Sequence, residues 1–149
     1  PNTYSYEQLF SVFNQLGLAY GAKEQLFRLM IFNVIGRNVD DHTKNFGFNL
    51  DESGQWNFSP AYDLSFSYSQ NFNRETVHFL SINGKNEKHN MADVLKVAKE
   101  YGIKKPKNII NNVNQSFLQW EKLAKRVDIS LERMDFIKSK LKTFAYMLK

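Results

Sequence analysis

At 149 residues, 42% of them hydrophobic and 15% aromatic, the chain has enough apolar surface for one compact core and too little length for two. It contains no cysteine, which excludes a disulfide framework, a thiolate zinc site and a cysteine nucleophile, and makes a reducing, cytoplasmic compartment the expected setting. The formal charge of +5 and pI near 9.4 point only weakly to a polyanionic partner, because the lysines of the C-terminal half are interleaved with Glu and Asp, as on solvated helix faces.

In chain order, the first residues, PNTYSYEQ, carry no basic region leading into an apolar one. No run of about 18 apolar residues follows, so neither secretion nor a membrane span is expected and the protein should be soluble. Ser5-Tyr6-Glu7-Gln8 fits a capping box, and Leu9, Val12, Phe13 and Leu16 follow at helical spacing up to Gly17. Gly21 opens a second segment in which Leu26, Phe27, Leu29, Met30, Ile31, Phe32, Val34 and Ile35 are apolar on nearly every side. Such a helix belongs at the centre of the fold. Gly36 is its expected C-cap.

Phe46 to Leu50 and Gln55 to Phe58 flank an Asp-Glu-Ser-Gly turn and read as a short β-hairpin. Ser65 to Thr76, rich in Ser and Asn and without period, reads as a long surface loop. Val77 to Ile82 reads as a strand ending at the Asn83-Gly84 turn. Asn90 with Asp93 caps a helix over Val94, Leu95, Val97 and Ala98. A helix from about Pro106 to Arg126 carries Ile109, Ile110, Val113, Phe117, Trp120, Leu123 and Ala124 on one stripe, and a last one carries Leu131, Met134, Ile137, Leu141, Ala145 and Leu148. Three helices therefore close the chain, with no internal repeat. The class is mainly α with a small β-hairpin, in a single domain over residues 1–149.

The chemistry is concentrated in NVDDHTKN, Asn38 to Asn45, at the end of the buried helix. Asp40 is followed five residues later by Asn45, and Asp63 lies beyond the hairpin. Phosphoryl transfer needs a carboxylate facing the attacking hydroxyl, together with an amide oxygen and a second carboxylate that hold Mg²⁺ ions against the nucleotide phosphates. Oxygen ligands suit Mg²⁺, whereas zinc would ask for more His or some Cys. The D-x-x-x-x-N spacing alone is a weak signal; its place between a buried helix and a hairpin, matched by Tyr62-Asp63-Leu64 where a kinase fold carries Asp-Phe-Gly, strengthens it.

The run IGRNVDDHTKNFGF, then WNF-SPAYDL, then HFLSINGKN with its helix, closely resembles the C-terminal domain of the HipA family, serine/threonine kinase toxins of bacterial toxin–antitoxin systems. The resemblance covers roughly Leu9 to Val113. It implies a protein-kinase-like C-terminal lobe that uses ATP and Mg²⁺. Carried over by motif, Asp40 is the catalytic aspartate, and Asn45 and Asp63 are metal ligands. It implies as partners a HipB-like DNA-binding antitoxin, through which DNA is met indirectly, and a protein substrate in translation such as an aminoacyl-tRNA synthetase. Full-length members have an N-terminal portion with a phosphate-covering loop and a nucleotide-contacting lysine. Nothing before Ser5 can supply these, and the seven glycines are isolated. The chain is thus expected to be a catalytic lobe without its N-terminal lobe, which would complete the site in cis or in trans.

His42, two residues after Asp40, has two readings: contact with the γ-phosphate, or hydrogen bonding that holds the loop. Lys44 is either a phosphate-neutralising group or a solvated lysine. Asp41, at the variable position of the motif, reads as a bystander facing water. His78 and His89 have no partners at metal-ligand spacing and read as surface or core residues. The segment from Ser81 to Lys85, SINGK, belongs to the resemblance without a mechanism of its own. Against the kinase reading stand a kinase-shaped binding module for an antitoxin or DNA, inactive alone, and a metal phosphohydrolase. The phosphohydrolase is disfavoured because no His–Asp dyad is visible in the sequence.

Overall fold

The computed structural model describes residues 4–68 and 77–145, with side chains through Leu141. Helix α1, Tyr6–Gln15, starts on the expected capping box: Ser5 Oγ accepts from the Gln8 N–H at 3.1 Å, and the Gln8 side chain accepts from the Ser5 N–H at 2.9 Å. Its buried face is Tyr6, Leu9, Phe10 and Phe13. Gly17, at φ 67°, ends it in a left-handed turn that lets the Leu18 N–H reach the Phe13 carbonyl at 3.0 Å.

Helix α2, Tyr20–Gly36, is the central helix, with Leu26, Phe27, Met30 and Ile31 fully buried. Gly36 is not its C-cap. It stays helical, and Arg37 takes the left-handed turn at φ 55°. The glycine serves close packing instead, since a Cβ there would stand 2.7 Å from Cζ of Phe117.

Strands β1, Phe48–Leu50, and β2, Trp56–Phe58, form the expected antiparallel hairpin, with Phe48 opposite Phe58 and Leu50 opposite Trp56. Asp51 caps its turn by accepting from the Ser53 and Gln55 N–H groups, both at 2.9 Å. The rings of Phe48 and Phe58 close on Phe13, with centroids 5.4 and 4.8 Å away, which fastens the hairpin to α1.

Residues 77–82 do not form the expected strand. They run as bends joined by single bridges, Ser81 to Ser5 and Ile82 to Lys85. Alternate burial of His78, Leu80 and Ile82 gives the segment a strand's hydropathy pattern, with no neighbouring strand to pair with among the described residues. The loop from Ser65 to Thr76 is described only to Tyr68; the rest of it lies outside the described residues.

Among the described residues four helices follow the hairpin rather than three: α3, Met91–Glu100; α4, Pro106–Phe117; α5, Trp120–Arg126; and α6, Leu131–Ala145. The expected long helix breaks at Leu118 and Gln119, and Leu118 and Leu123 are exposed. Helix α5 turns so that Trp120 Nε1 donates to the Met134 carbonyl of α6 at 3.1 Å. On α6, Met134, Ile137 and Leu141 are buried and Leu131 is exposed; the side chains of Ala145 and Leu148 lie outside the described residues. Helices α1, α4 and α6 surround α2. The polar loop therefore emerges from the centre of the core.

Candidate functional site

The left-handed turn at Arg37 redirects the chain out of α2. Asn38, Val39 and Asp41 are buried while Asp40 is exposed. A single 3-10 turn, Thr43–Asn45, folds the loop back, and Asn45 Nδ2 donates to the Asp40 carbonyl at 3.1 Å. With its amide nitrogen so engaged, Asn45 Oδ1 makes no hydrogen bond among the described residues.

Asp63 arrives from the hairpin. The Ser59 N–H donates to the Gly47 carbonyl at 3.0 Å and the Tyr62 hydroxyl to the Lys44 carbonyl at 2.7 Å, so the strand leaving β2 is laced to the 3-10 turn. Asp63 sits at φ 53°, a conformation that Asp tolerates better than most residues. Its carbonyl accepts from Asn38 Nδ2 at 3.4 Å. Four residues on, Ser67 Oγ accepts from the Val39 N–H at 2.8 Å and the Asp40 N–H at 3.1 Å. Asp40, Asn45 and Asp63 are thus gathered into one hydrogen-bonded loop cluster. The carboxylates of Asp40 and Asp63 are exposed and make no hydrogen bond among the described residues.

His42 is half-buried, with its ring edge-on to Phe79 at 6.0 Å, and its buried Nδ1 has no hydrogen-bond partner among the described residues. The Lys44 side chain is exposed; its backbone carbonyl, bonded to Tyr62, is the part that shapes the site. Leu64, which follows Asp63, is 43% exposed.

Asp41 overturns its reading as a bystander. Its side chain is fully buried, and one oxygen accepts from the Tyr6 hydroxyl at 2.7 Å and bonds His78 Nδ1 at 3.0 Å. The other oxygen accepts from the N–H groups of Phe79 at 2.8 Å and Leu80 at 3.3 Å. A His–Asp dyad therefore exists, contrary to the sequence reading, but it is sealed inside the protein and engaged in holding the loop. Burying a carboxylate requires such a set of donors. They come from 35 residues upstream and 37 to 39 downstream, so no local pattern could reveal them. The one available signal was the apolar His-Phe-Leu run, whose backbone meets this charge.

The SINGK segment also acquires a role. Ser81 exchanges backbone bonds with α1 through Tyr4 and Tyr6, at 3.1 and 3.0 Å. The Asn83 N–H donates to Glu7 Oε1 at 2.6 Å, and Asn83 Nδ2 and Lys85 Nζ donate to Asp93 at 2.8 and 2.9 Å. Burial works against ionisation of Asp93, but these bonds and the Asn90 N–H outweigh it and hold its carboxyl below the usual range. The segment therefore ties the start of α1 to the start of α3 and presents the amides of Phe79 and Leu80 to Asp41.

The family model for the HipA-like C-terminal domain matches residues 1–121. The chain belongs to the HipA-like C-terminal domain family. None of the curated proteins compared with the chain matches it. The HipA-like match contains the whole loop cluster, the hairpin and the SINGK segment, and ends at Glu121, so α6 lies beyond it. Among the described residues no three His, Cys, Asp or Glu side chains form a group that could hold a metal ion, and no helix is long and apolar enough to cross a membrane.

Proposed function

We propose that this HipA-like domain is the catalytic lobe of a protein kinase that transfers the γ-phosphate of ATP to a serine or threonine hydroxyl. The observation that carries the reading is the juxtaposition of Asp40, Asn45 and Asp63, held together by Asn38 and Ser67. The exposed Asp40 carboxylate takes the role of the group that orients the substrate hydroxyl and accepts its proton. Asn45 Oδ1 and the Asp63 carboxylate fit Mg²⁺, which keeps several waters and phosphate oxygens and needs only one or two protein ligands. When bound, Mg²⁺ neutralises the charge of the phosphates. His42 and Lys44 line the same loop and are assigned to the phosphate side of the site. An N-terminal kinase lobe covering the nucleotide, a DNA-binding antitoxin partner and cytoplasmic location belong to the same proposal.

The test is calorimetric titration of the chain with Mg²⁺ and ATP, with Asp63→Asn as control, followed by phosphate transfer to a degenerate serine/threonine peptide library by the protein carrying its nucleotide-covering lobe. Mg²⁺-dependent binding lost in Asp63→Asn, and transfer lost by about 10³-fold or more in Asp40→Asn, are expected. Salt-dependent DNA binding by a complete protein that neither binds ATP nor transfers phosphate would establish the binding-module reading instead.

A further inference from the structure

Asp40 has no side-chain bond of its own among the described residues, so its position is set through the backbone on either side of it. Ser67 Oγ holds its N–H and Asn45 holds its carbonyl, while the next residue, Asp41, is clamped in the core. From that clamp a line of buried polar groups leads back to the backbone of Asp63. The Tyr6 hydroxyl donates to Asp41 Oδ2 and accepts from Asn33 Nδ2 at 2.9 Å; Asn33 Oδ1 accepts from Asn38 Nδ2 at 3.1 Å; and Asn38 Nδ2 also reaches the Asp63 carbonyl. Tyr6, Asn33, Asn38 and Asp41 are each no more than 2% exposed. Each bond in the line has defined donors and acceptors, since burial and the Asp41 charge push the Tyr6 phenol well above its ordinary value and keep it a donor.

We propose that Asp41 and Tyr6 are positioning residues, and that the buried line Asp41–Tyr6–Asn33–Asn38 fixes the spacing between the Asp40 loop and the Asp63 turn on which phosphate transfer depends. The physical reason is that both functional residues stand on exposed, irregular backbone, which has no helix or sheet ladder to hold it. Reacting groups misplaced by about 1 Å lose about 10²-fold in rate. A buried, fully bonded polar line fixes such a distance better than apolar packing does, because each of its bonds is directional. The inference rests on the kinase reading for its catalytic consequence, while its structural content stands on the loop itself.

The experiment uses the protein with its nucleotide-covering lobe and compares Tyr6→Phe with Tyr101→Phe. Tyr101 is the control: its hydroxyl donates to the Glu7 carbonyl at 2.9 Å and lies 3.4 Å from Ser11 Oγ, with no bond to the Asp40 loop or the Asp63 turn among the described residues. Two quantities are read: kcat and KM for a serine/threonine peptide chosen from a degenerate library, and amide hydrogen exchange at Val39, Asp40 and Ser67. For Tyr6→Phe, kcat is expected to fall about tenfold with KM for the peptide within about twofold, and exchange at the three amides to quicken about fivefold beyond any global change. Tyr101→Phe should lower the melting temperature by less and leave both readouts unchanged. Unchanged exchange in Tyr6→Phe, or a loss of kcat that merely follows melting temperature in both variants, would overturn the proposal. Quickened exchange in Tyr6→Phe, where the wild-type protein itself transfers no phosphate, would uphold the positioning line and refute the kinase reading.

Discussion

In the proposed kinase site Asp63 combines a left-handed backbone with an exposed carboxylate. Asn adopts that backbone nearly as readily as Asp, whereas Ala pays the Cβ penalty of about 1 kcal/mol. Asp63→Asn should therefore keep the melting temperature of the parent and lose Mg²⁺–ATP binding, while Asp63→Ala should lose the binding and several degrees of melting temperature. Calorimetry and thermal unfolding on the same samples separate the two effects. His89 gives a second prediction at this scale. Burial drives its imidazole down to about 4, with the neighbouring His78 adding to the effect and the Lys85 carbonyl, Asp41 and Asp93 opposing it. The native ring stays neutral while the unfolded one takes up a proton near 6.5, so stability is complete above about pH 6.5 and is lost as pH falls toward 4. At pH 5 the loss is about 2 kcal/mol. Asp93 is depressed from below 4, so its contribution disappears only at lower pH and leaves this window clear. Urea midpoints at pH 7.5 and pH 5 should move together in a His89→Gln variant and apart in the parent. The grouping of Asp40, Asn45 and Asp63 in one loop cluster was legible because their spacing around the loop and the hairpin is written locally. Asp41 was not, because its four donors arrive from segments more than 30 residues away.

Elements were legible wherever periodicity and capping agree, as in α1, the centre of α2, the hairpin and α3. They were misread where tertiary contacts decide. The stripe from Ile109 to Ala124 is continuous in sequence, yet the chain breaks after Phe117 because α5 must turn to bond and pack against α6. Gly36 looked like a stop signal but is a place where another helix comes close. Phe117 fills the space over it and is itself held by Phe32 at 4.9 Å, so its ring cannot swing aside freely. Gly36→Ala gains about 1 kcal/mol of helix propensity. It loses about 1–3 kcal/mol to overpacking. A net destabilisation of about 1 kcal/mol is expected by thermal or urea unfolding, reversed to a gain when Phe117→Leu is added. A Gly36→Ala variant more stable than the parent would mean that the ring yields and that close packing does not require a glycine there.

At the scale of the whole molecule, the helix beyond the family match is the one that reaches the segment following Asp63. The Phe66 ring meets Phe136 of α6 edge-on at 6.0 Å, the Arg133 guanidinium lies 5.7 Å from both rings, and the Lys140 ammonium lies 5.2 Å from the Tyr68 ring and 5.4 Å from that of Phe136. Between the two aromatic residues sits Ser67, whose hydroxyl holds the Val39 and Asp40 amides. Helix α6 thus grips the site from outside while the polar line from Asp41 grips it from within. The two faces of α6 should separate in their effects. Ile137→Ala removes a core side chain and should cost about 2–4 kcal/mol of stability with nucleotide affinity intact in the remaining folded protein. Phe136→Ala removes a half-buried ring over the loop, and should cost less than about 1.5 kcal/mol while weakening Mg²⁺–ATP binding several-fold. Unfolding and calorimetry on the two variants decide it: a Phe136→Ala protein that binds Mg²⁺–ATP like the parent would show that α6 braces the core alone and that the Asp63 segment keeps its place without it.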